Sequence, residues 1–195
     1  MLIYPQVRHD KGELFGYVGA METMQSPDGE PSPAQSMLEA SERRWQLFGP
    51  THLPYRILLL AKMIDRVTTQ HVRDRAAMSL AEWRVISHVA LMGQCSAAEI
   101  AEAAFVDRSE VSRAVAALEQ RQLIQRDPNP RNRKSSLISL TGEGRSIYGT
   151  VREERTHMYE DWLEDLGVED RTQLDDALRT VMRRIVLGNP DALKP

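Results

Sequence analysis

The stretch that decides the fold runs from residue 96 to residue 144: SAAEIAEAAFVDRSEVSRAVAALEQRQLIQRDPNPRNRKSSLISLTGEG. It begins with Ser96 and has Glu99 three residues later, the pattern of a capping box, in which each side chain bonds a backbone N–H at the start of a helix. Asp107 and Glu110 repeat this pattern after a short turn. The stretch therefore predicts two short, capped helices in succession.

The second of these helices has two different sides. Val111, Val115 and Leu118 recur at helical spacing and predict the side that is buried. The opposite side carries small or polar side chains: Ser109, Ser112, Arg113 and Ala116. A solvated helix usually carries Glu, Lys and Gln, whereas small donors beside one arginine allow a helix to enter a DNA groove. An ordinary alanine-rich two-helix corner is the alternative interpretation.

After residue 122 the pattern changes to that of a β-hairpin. Residues 123–126 and 137–140 suit two short strands, and the sequence DPNP at 127–130 supplies turn residues between them. Seven basic and three acidic residues lie between Arg108 and Lys134, so this segment carries +4 in a chain of formal net charge −3. Positive charge concentrated in this way is typical of a phosphate-binding surface, and a merely solvated loop is the alternative.

Four pieces of the chain resemble the multiple-antibiotic-resistance regulator (MarR) family of winged helix-turn-helix repressors. They are SLAEWRVI (79–86), SAAEIAEAA (96–104), VDRSEVSRAVAALEQRQLI (106–124) and SLISLTGEG (136–144). The resemblance implies a mainly α fold with a small β-hairpin wing. It also implies that long N- and C-terminal helices flank the winged helix-turn-helix and form a dimer.

Three positions depart from the pattern of this family. Asn132 stands where the family has an aspartate that helps to pin the wing, and Lys134 stands where it has an arginine. A lysine is a point charge that cannot make the bidentate contact of an arginine, so Arg131 and Arg133 are the candidates to replace it. Gln122 takes the place of the glycine that usually follows the recognition helix.

The resemblance and the two-sided second helix together predict which residues contact DNA. Arg113 is expected to read base edges in the major groove, while the hairpin tip holds phosphates or reaches the minor groove. The full predicted set is Ser96, Arg108, Ser109, Ser112, Arg113, Arg131, Arg133 and Lys134. The expected partners are a pseudo-palindromic duplex operator and a second copy of the chain. A winged-helix module that binds proteins is the alternative, and it would expose apolar residues on this face.

The pattern along the chain predicts four segments. Residues 1–50 form an N-terminal extension, partly disordered or containing one accessory helix, and residues 51–78 form a dimerisation helix. Residues 79–143 form the winged helix-turn-helix DNA-binding domain, and residues 144–195 form C-terminal helices that complete the dimerisation domain. The terminal helices carry more apolar residues than one small unit can bury, which favours a twofold dimer over a monomer with a self-contained helical bundle.

Members of this family commonly bind a small, often aromatic and anionic effector where the dimer helices meet the winged-helix unit. The resemblance implies five candidate residues near this junction: His52, Tyr55, Arg56, Trp83 and His88. Arg56 would pair with a carboxylate, and Trp83 would stack on a ring. Tryptophan and histidine in an apolar helix are, however, more often core residues than ligand contacts.

Composition argues against several other classes of protein. The single cysteine, Cys95, excludes an intrachain disulfide framework, although a helix dipole beside it would lower the thiol pKa and leaves redox sensing as a minor alternative. The histidines have no ligand spacing, and no phosphate loop or nucleophile motif occurs, so we expect no metal, no cofactor and no enzymatic activity. No apolar run reaches the roughly 20 residues of a membrane span, and no signal pattern is present, which predicts a cytoplasmic protein.

Overall fold

A computed structural model describes residues 31–47, 49–132 and 134–193. The elements of this part, in chain order, are α1 (Pro33–Gln46), a short 3-10 helix (Pro50–His52), α2 (Leu53–Ala76), α3 (Leu80–Met92), α4 (Ala97–Ala104), α5 (Arg108–Gln120), β1 (Ile124–Pro128), β2 (Ser136–Leu140), α6 (Gly142–Trp162) and α7 (Val168–Gly188). The chain divides into two compact units between Ala61 and Lys62. This architecture confirms the expected mainly α fold with a β-hairpin wing.

The core of the second unit is built around α3, α5 and the hairpin. The residues predicted to face inward on α5 are all buried, so the expected orientation of this helix is confirmed. The buried apolar residues include Val72, Met78, Trp83, Val85, Ile86, Val89, Ile100, Val111, Val115, Leu118, Leu123, Ile124, Ile138, Leu140 and Val151. Because the core packs against one side of α5, the opposite side of this helix is exposed to solvent.

The hairpin is joined to the segment that precedes α4. Strands β1 and β2 are antiparallel, with Ile124 opposite Leu140 and Pro128 opposite Ser136. Cys95 forms an isolated bridge to β2: the Ile138 N–H donates to the Cys95 carbonyl at 2.7 Å, and the Cys95 N–H donates to the Ile138 carbonyl at 3.1 Å. These bonds fix the base of the wing against the helix-turn-helix.

Gln122, two residues after the end of α5, has the backbone conformation of a glycine although it is a glutamine. Gln122 has a φ of 58°, in the left-handed region that favours glycine. The Leu123 N–H donates to the Leu118 carbonyl and the Gln122 N–H donates to the Glu119 carbonyl, each at 2.9 Å. These two bonds are the Schellman pattern that ends many helices, and they maintain the unfavourable φ of Gln122.

A glycine is required where α6 begins. A Cβ atom built on Gly144 would lie 1.9 Å from the carbonyl oxygen of Leu123. That carbonyl accepts the Thr141 N–H at 3.1 Å, and the Thr141 hydroxyl donates to the Gln122 carbonyl at 2.8 Å. The start of α6 is therefore held in backbone contact with the turn that follows α5.

A turn held by an arginine side chain separates α6 from α7. Helix α6 ends at Trp162, and Gly167 is the N-cap of α7. Arg171 donates to the carbonyls of Leu163 and Leu166 and so satisfies the backbone of the turn. None of the described helices combines the length and the apolar composition that a membrane span requires.

Candidate nucleic-acid interface

The first helix of the helix-turn-helix, α4, begins at the capping box predicted from the sequence. The Glu99 N–H donates to the Ser96 hydroxyl oxygen at 3.3 Å, and the Ser96 N–H donates to Glu99 Oε2 at 2.7 Å. The bonds from Ser96 hold the pKa of Glu99 below its usual range, with a smaller contribution from the charge of Arg131. The wing tip therefore lies within electrostatic range of the start of α4. Ser96 is buried, and its hydroxyl is already engaged by Glu99.

The second helix, α5, begins at the predicted N-cap Asp107. Its carboxylate accepts the Ser109 N–H at 2.7 Å, and this bonding lowers the pKa of Asp107. Ser109, Ser112 and Arg113 are exposed together, as the helical spacing predicts. Arg113 Nη1 donates to the Ser109 hydroxyl at 3.2 Å, which orients the guanidinium along the exposed face. Arg108, at the first helical position, is also exposed.

The tip of the wing is held by asparagine side chains. Asn129 Oδ1 accepts the N–H of Arg131 at 2.9 Å, and Asn129 Nδ2 donates to the Ser135 hydroxyl at 2.9 Å. Asn132 Oδ1 accepts the Lys134 N–H at 3.1 Å. Asn132 thus orders the backbone of the tip although it lacks the charge of the family aspartate.

Arg131 and Lys134 are both exposed at this tip. The remaining predicted wing residue, Arg133, lies outside the described residues. Two other arginines that contribute to the +4 of the segment are used inside the protein. Arg126 Nε lies 2.8 Å from Glu119 Oε2, and Arg121 donates to backbone carbonyls at the end of α2. The sequence count therefore overstates the positive charge that this surface offers to a phosphate backbone.

Three of the five candidate ligand residues belong to the first unit. Arg56 Nε donates to the Trp45 carbonyl at 2.9 Å, and its guanidinium lies 5.6 Å from the centre of the Trp45 ring. The His52 Nδ1 atom lies 3.2 Å from the Thr51 hydroxyl, and Tyr55 is partly exposed in the first turn of α2. Arg56 therefore joins the end of α1 to the start of α2.

The other two candidates, Trp83 and His88, lie on α3 in the second unit. Trp83 is buried in the core, and its ring stacks on Tyr148 with centroids 5.7 Å apart. His88 is half-buried, with Nδ1 2.7 Å from the Arg84 carbonyl. Both side chains thus have the intramolecular partners expected of core residues, and their roles as ligand contacts remain predictions.

Arg155 is a buried cation that the sequence analysis did not single out. It is only 5% exposed, and its guanidinium lies 5.7 Å from the Trp83 ring centre and 4.9 Å from the Tyr159 ring centre. Nη2 donates to the Tyr159 hydroxyl, but Nη1 has no hydrogen-bond partner within the described part of the chain. One signal was present in the sequence: Arg155 lies four residues after Val151, on the apolar side of α6.

Glu154, the residue before Arg155, pairs with a different arginine. Glu154 Oε1 lies 2.6 Å from Arg75 Nη2, and Glu154 Oε2 lies 3.2 Å from His71 Nε2. Burial lowers the pKa of His71 and outweighs the opposing effect of Glu154, while the charges of Arg155 and Arg75 lower it further. Glu154 is therefore held by Arg75, and no carboxylate of the described residues forms an ion pair with Arg155.

Cys95 is not the activated thiol that its position before an N-cap allowed. It is 2% exposed, and burial, together with the charge of Glu99, raises the pKa of the thiol to about 11. Desolvation thus outweighs the helix dipole at this position. Within the described residues, no group of three or more His, Cys, Asp or Glu side chains is placed to hold a metal ion.

Comparison with known sequences identifies relatives of the helix-turn-helix region. Residues 78–135 match the sequence model of the MarR family. The HTH-type transcriptional regulators YxaD and YybA of Bacillus subtilis (strain 168) are 27% identical over 94 residues and 30% identical over 87 residues. These matches cover 48% and 45% of this chain and 66% and 58% of the two relatives, so the chain spans less than two thirds of either.

Comparison with solved structures identifies the same fold. A mutant MarR from E. coli complexed with operator DNA is similar, with a TM-score of 0.59 and 18% identity over 66% of this chain and 92% of that chain. At this identity the likeness establishes the winged helix-turn-helix fold. Over residues 78–135, the chain is therefore similar in sequence to the MarR family.

Proposed function

We propose that this protein is a cytoplasmic, homodimeric transcriptional repressor that binds a pseudo-palindromic operator and leaves it when a small anionic ligand binds. The observation that carries DNA recognition is the exposed side of α5. Ser109, Ser112 and Arg113 lie together there, while Val111 and Val115 anchor the opposite side in the core. Arginine can bond both acceptors of a guanine edge, and short hydroxyl side chains allow the helix to approach the groove closely.

Charge near this helix supports the same function. Arg108 at the start of α5 and Arg131 and Lys134 at the wing tip are exposed, as phosphate-binding residues must be. A winged-helix module that binds proteins would present apolar side chains here instead. The fold is shared with an E. coli MarR that was solved with operator DNA, which gives further support to the proposal.

Exposed apolar side chains support the homodimer. Along α7, four large apolar residues spaced by three or four are each more than two-fifths exposed: Leu174, Leu178, Met182 and Ile185. Along α2, the exposed set includes Leu53, Leu58, Leu60, Met63 and Val67. A self-contained bundle would have buried these side chains, whereas a second copy of the chain would cover them. Light scattering of the purified protein should give twice the 22.2 kDa mass of one chain, and a monomeric mass would contradict this part of the proposal.

The buried guanidinium of Arg155, which forms no ion pair with any described carboxylate, supports a small anionic ligand. Burying a charge without a counter-ion is costly, and an anion at Nη1 would remove that cost. The aromatic rings of Trp83 and Tyr159 beside it suit a flat carboxylic acid. We expect benzoate to raise the melting temperature of the wild type but not of Arg155→Leu, with acetate and sodium chloride as controls. Equal shifts in both proteins would rule out Arg155 as the anchor.

DNA binding is tested by gel shift of the full chain on the DNA upstream of its own gene, against non-specific competitor and across a salt series. Binding that resists the competitor supports a sequence-specific regulator. Weak binding that disappears with salt and with competitor would contradict it and would favour a module that binds proteins.

The role of the wing tip is tested with Lys134→Ala, and Lys62→Ala on α2 is the control for loss of one positive charge. Lys134→Ala should weaken binding to all sequences alike. It should also flatten the logarithmic salt dependence by about 0.9 for each phosphate that the variant no longer neutralises. A slope equal to that of Lys62→Ala would mean that the wing tip does not touch phosphate.

A further inference from the structure

Arg121 connects the end of α5, the proposed recognition helix, to the end of α2. It follows the last residue of α5, where its own backbone N–H donates to the Ala117 carbonyl at 3.1 Å. Its guanidinium donates from Nη2 to the Ala76 carbonyl at 2.7 Å and from Nη1 to the Ala77 carbonyl at 3.1 Å. Glu82 Oε1, on α3, lies 3.6 Å from Nη1. One side chain thus contacts the segments α2, α3 and α5.

The contact with α2 has a clear electrostatic basis. The last carbonyls of a helix have no partner within the helix and carry its partial negative charge. The carbonyls of Ala76 and Ala77 are of this kind, and the planar guanidinium of Arg121 reaches both. A lysine ammonium lacks this planar arrangement of two donor nitrogens, the fork of the arginine side chain. Ala77 has a φ of 48°, so the chain turns away sharply and leaves these carbonyls open to Arg121.

The third partner of Arg121 is also fixed. Glu82 closes the capping box at the start of α3, where the Ser79 N–H donates to its Oε2 at 2.7 Å. Its Oε1 atom is left to face Arg121. Because Glu82 is held by backbone, the guanidinium has two hydrogen-bond acceptors and one ion-pair partner whose positions depend on helix ends. Rotation of α5 relative to α2 would break at least one of these contacts.

We infer that Arg121 is a positioning residue that sets the angle between the recognition helix and α2, and thereby the separation of the two recognition helices in the dimer. The inference rests on the proposed function. A dimer with a fixed separation accepts only operators whose half-sites have one spacing. The side chain is not expected to read bases, since its donors are used inside the protein. Arg121 would therefore control the spacing between half-sites, while Arg113 controls the sequence of each half-site.

A matched control is available in Arg126. It also carries one positive charge near the end of α5, but its partner is Glu119 on the same helix, 2.8 Å away. This pair joins α5 to β1, and its ion pair does not involve α2. Arg126→Gln removes the same charge as Arg121→Gln and leaves the contact between α5 and α2 in place.

The test is selection of bound duplexes from a random DNA library by the full-length wild type, Arg121→Gln and Arg126→Gln, followed by sequencing. We expect all three proteins to enrich the same half-site. The wild type and Arg126→Gln should enrich pairs at one spacing, whereas Arg121→Gln should spread over several spacings and bind the wild-type operator about tenfold more weakly. A change that only lowered stability would not alter the preferred spacing.

The possible outcomes separate the two levels of inference. If the wild type enriches no half-site, the proposed function itself is overturned. If the wild type and Arg121→Gln enrich the same half-site at the same single spacing, only the role of Arg121 is overturned. The role of Arg121 is also overturned if Arg121→Gln folds but enriches no half-site. If Arg121→Gln does not melt cooperatively, Arg121→Lys is used instead, because it keeps the charge but not the fork. A single wild-type spacing in Arg121→Lys would equally overturn the inference.

Discussion

The contact between Gly144 and Leu123 leads to a prediction about stability. In Gly144→Ala, the new Cβ would lie 1.9 Å from the Leu123 carbonyl oxygen, so the backbone must move by about 1 Å to reach the 3.0 Å minimum of real contacts. Forced overpacking of a buried site costs about 1–3 kcal/mol, and here the obstacle is backbone rather than a flexible side chain. The same movement strains the 3.1 Å bond from the Thr141 N–H to that carbonyl, which adds about 1 kcal/mol. We therefore expect the free energy of unfolding to fall by about 3 kcal/mol.

Urea unfolding followed by circular dichroism at 222 nm measures this change, and Gly149→Ala is its matched control. Gly149 lies on the same helix, and no atom lies within 4 Å of a Cβ built there. Alanine at this interior helical position should raise the free energy of unfolding by about 0.5–1 kcal/mol. The two glycine-to-alanine changes should thus have opposite signs. A loss below about 1 kcal/mol in Gly144→Ala would refute the steric reasoning.

Three further predictions concern individual side chains. Gln122→Gly should raise the free energy of unfolding by about 0.5–1 kcal/mol, because relief of the left-handed φ outweighs the entropy cost of glycine. The control Gln120→Gly, within α5, should lower the free energy of unfolding. Equal effects of the two substitutions in urea unfolding would show that the φ of residue 122 is unimportant. Because the pKa of Cys95 is raised to about 11, the thiolate fraction of Cys95 at pH 8 should be about a hundredfold lower than that of an ordinary thiol. A disulfide reagent should therefore label Cys95 rapidly only in urea, and fast labelling of the folded protein would contradict this prediction. The lowered pKa of His71 means that the unfolded chain takes up its proton first, so stability should fall as the pH drops below about 6.5, and less so in His71→Gln; identical falls would exclude His71 as the source.

Features that depend on neighbouring residues could be predicted from the sequence. The caps at Ser96 and Asp107 form because serine and aspartate side chains reach backbone N–H groups two or three residues away. The buried and exposed sides of α5 follow from helical geometry applied to Val111, Ser112 and Leu118. The hairpin follows from turn residues flanked by apolar ones.

Features that depend on distant residues could not be predicted in the same way. The partners of Arg121 lie 44 and 45 positions earlier in the chain, so its charge was counted as surface charge although it is used internally. Arg155 is buried by Trp83 on another helix and by Tyr159 on its own, and spacing along α6 indicates only that it lies on the apolar side. The end of α6 depends on Arg171 of the following helix, which no local signal reveals.

Local rules also mislead where hydrogen bonding overrides a conformational preference. Glycine is the expected residue in a left-handed helix end, yet Gln122 and Phe105 take this conformation with φ of 58° and 51°. In both cases the following backbone N–H bonds back to the helix, from Leu123 to Leu118 and from Val106 to Ala101. The bonds retain the turn at a conformational cost, and the sequence departs from the family pattern without losing the fold.

The most direct test of DNA recognition by α5 compares the wild type with Arg113→Ala on its operator and on a scrambled duplex of the same composition, at one salt concentration. Removal of a bidentate bond to a base should weaken operator binding by about 1–3 kcal/mol, which is roughly 5- to 150-fold, and leave binding to the scrambled duplex nearly unchanged. Equal weakening on both duplexes, or no weakening on the operator, would contradict the assignment of α5 as the helix that reads the DNA sequence.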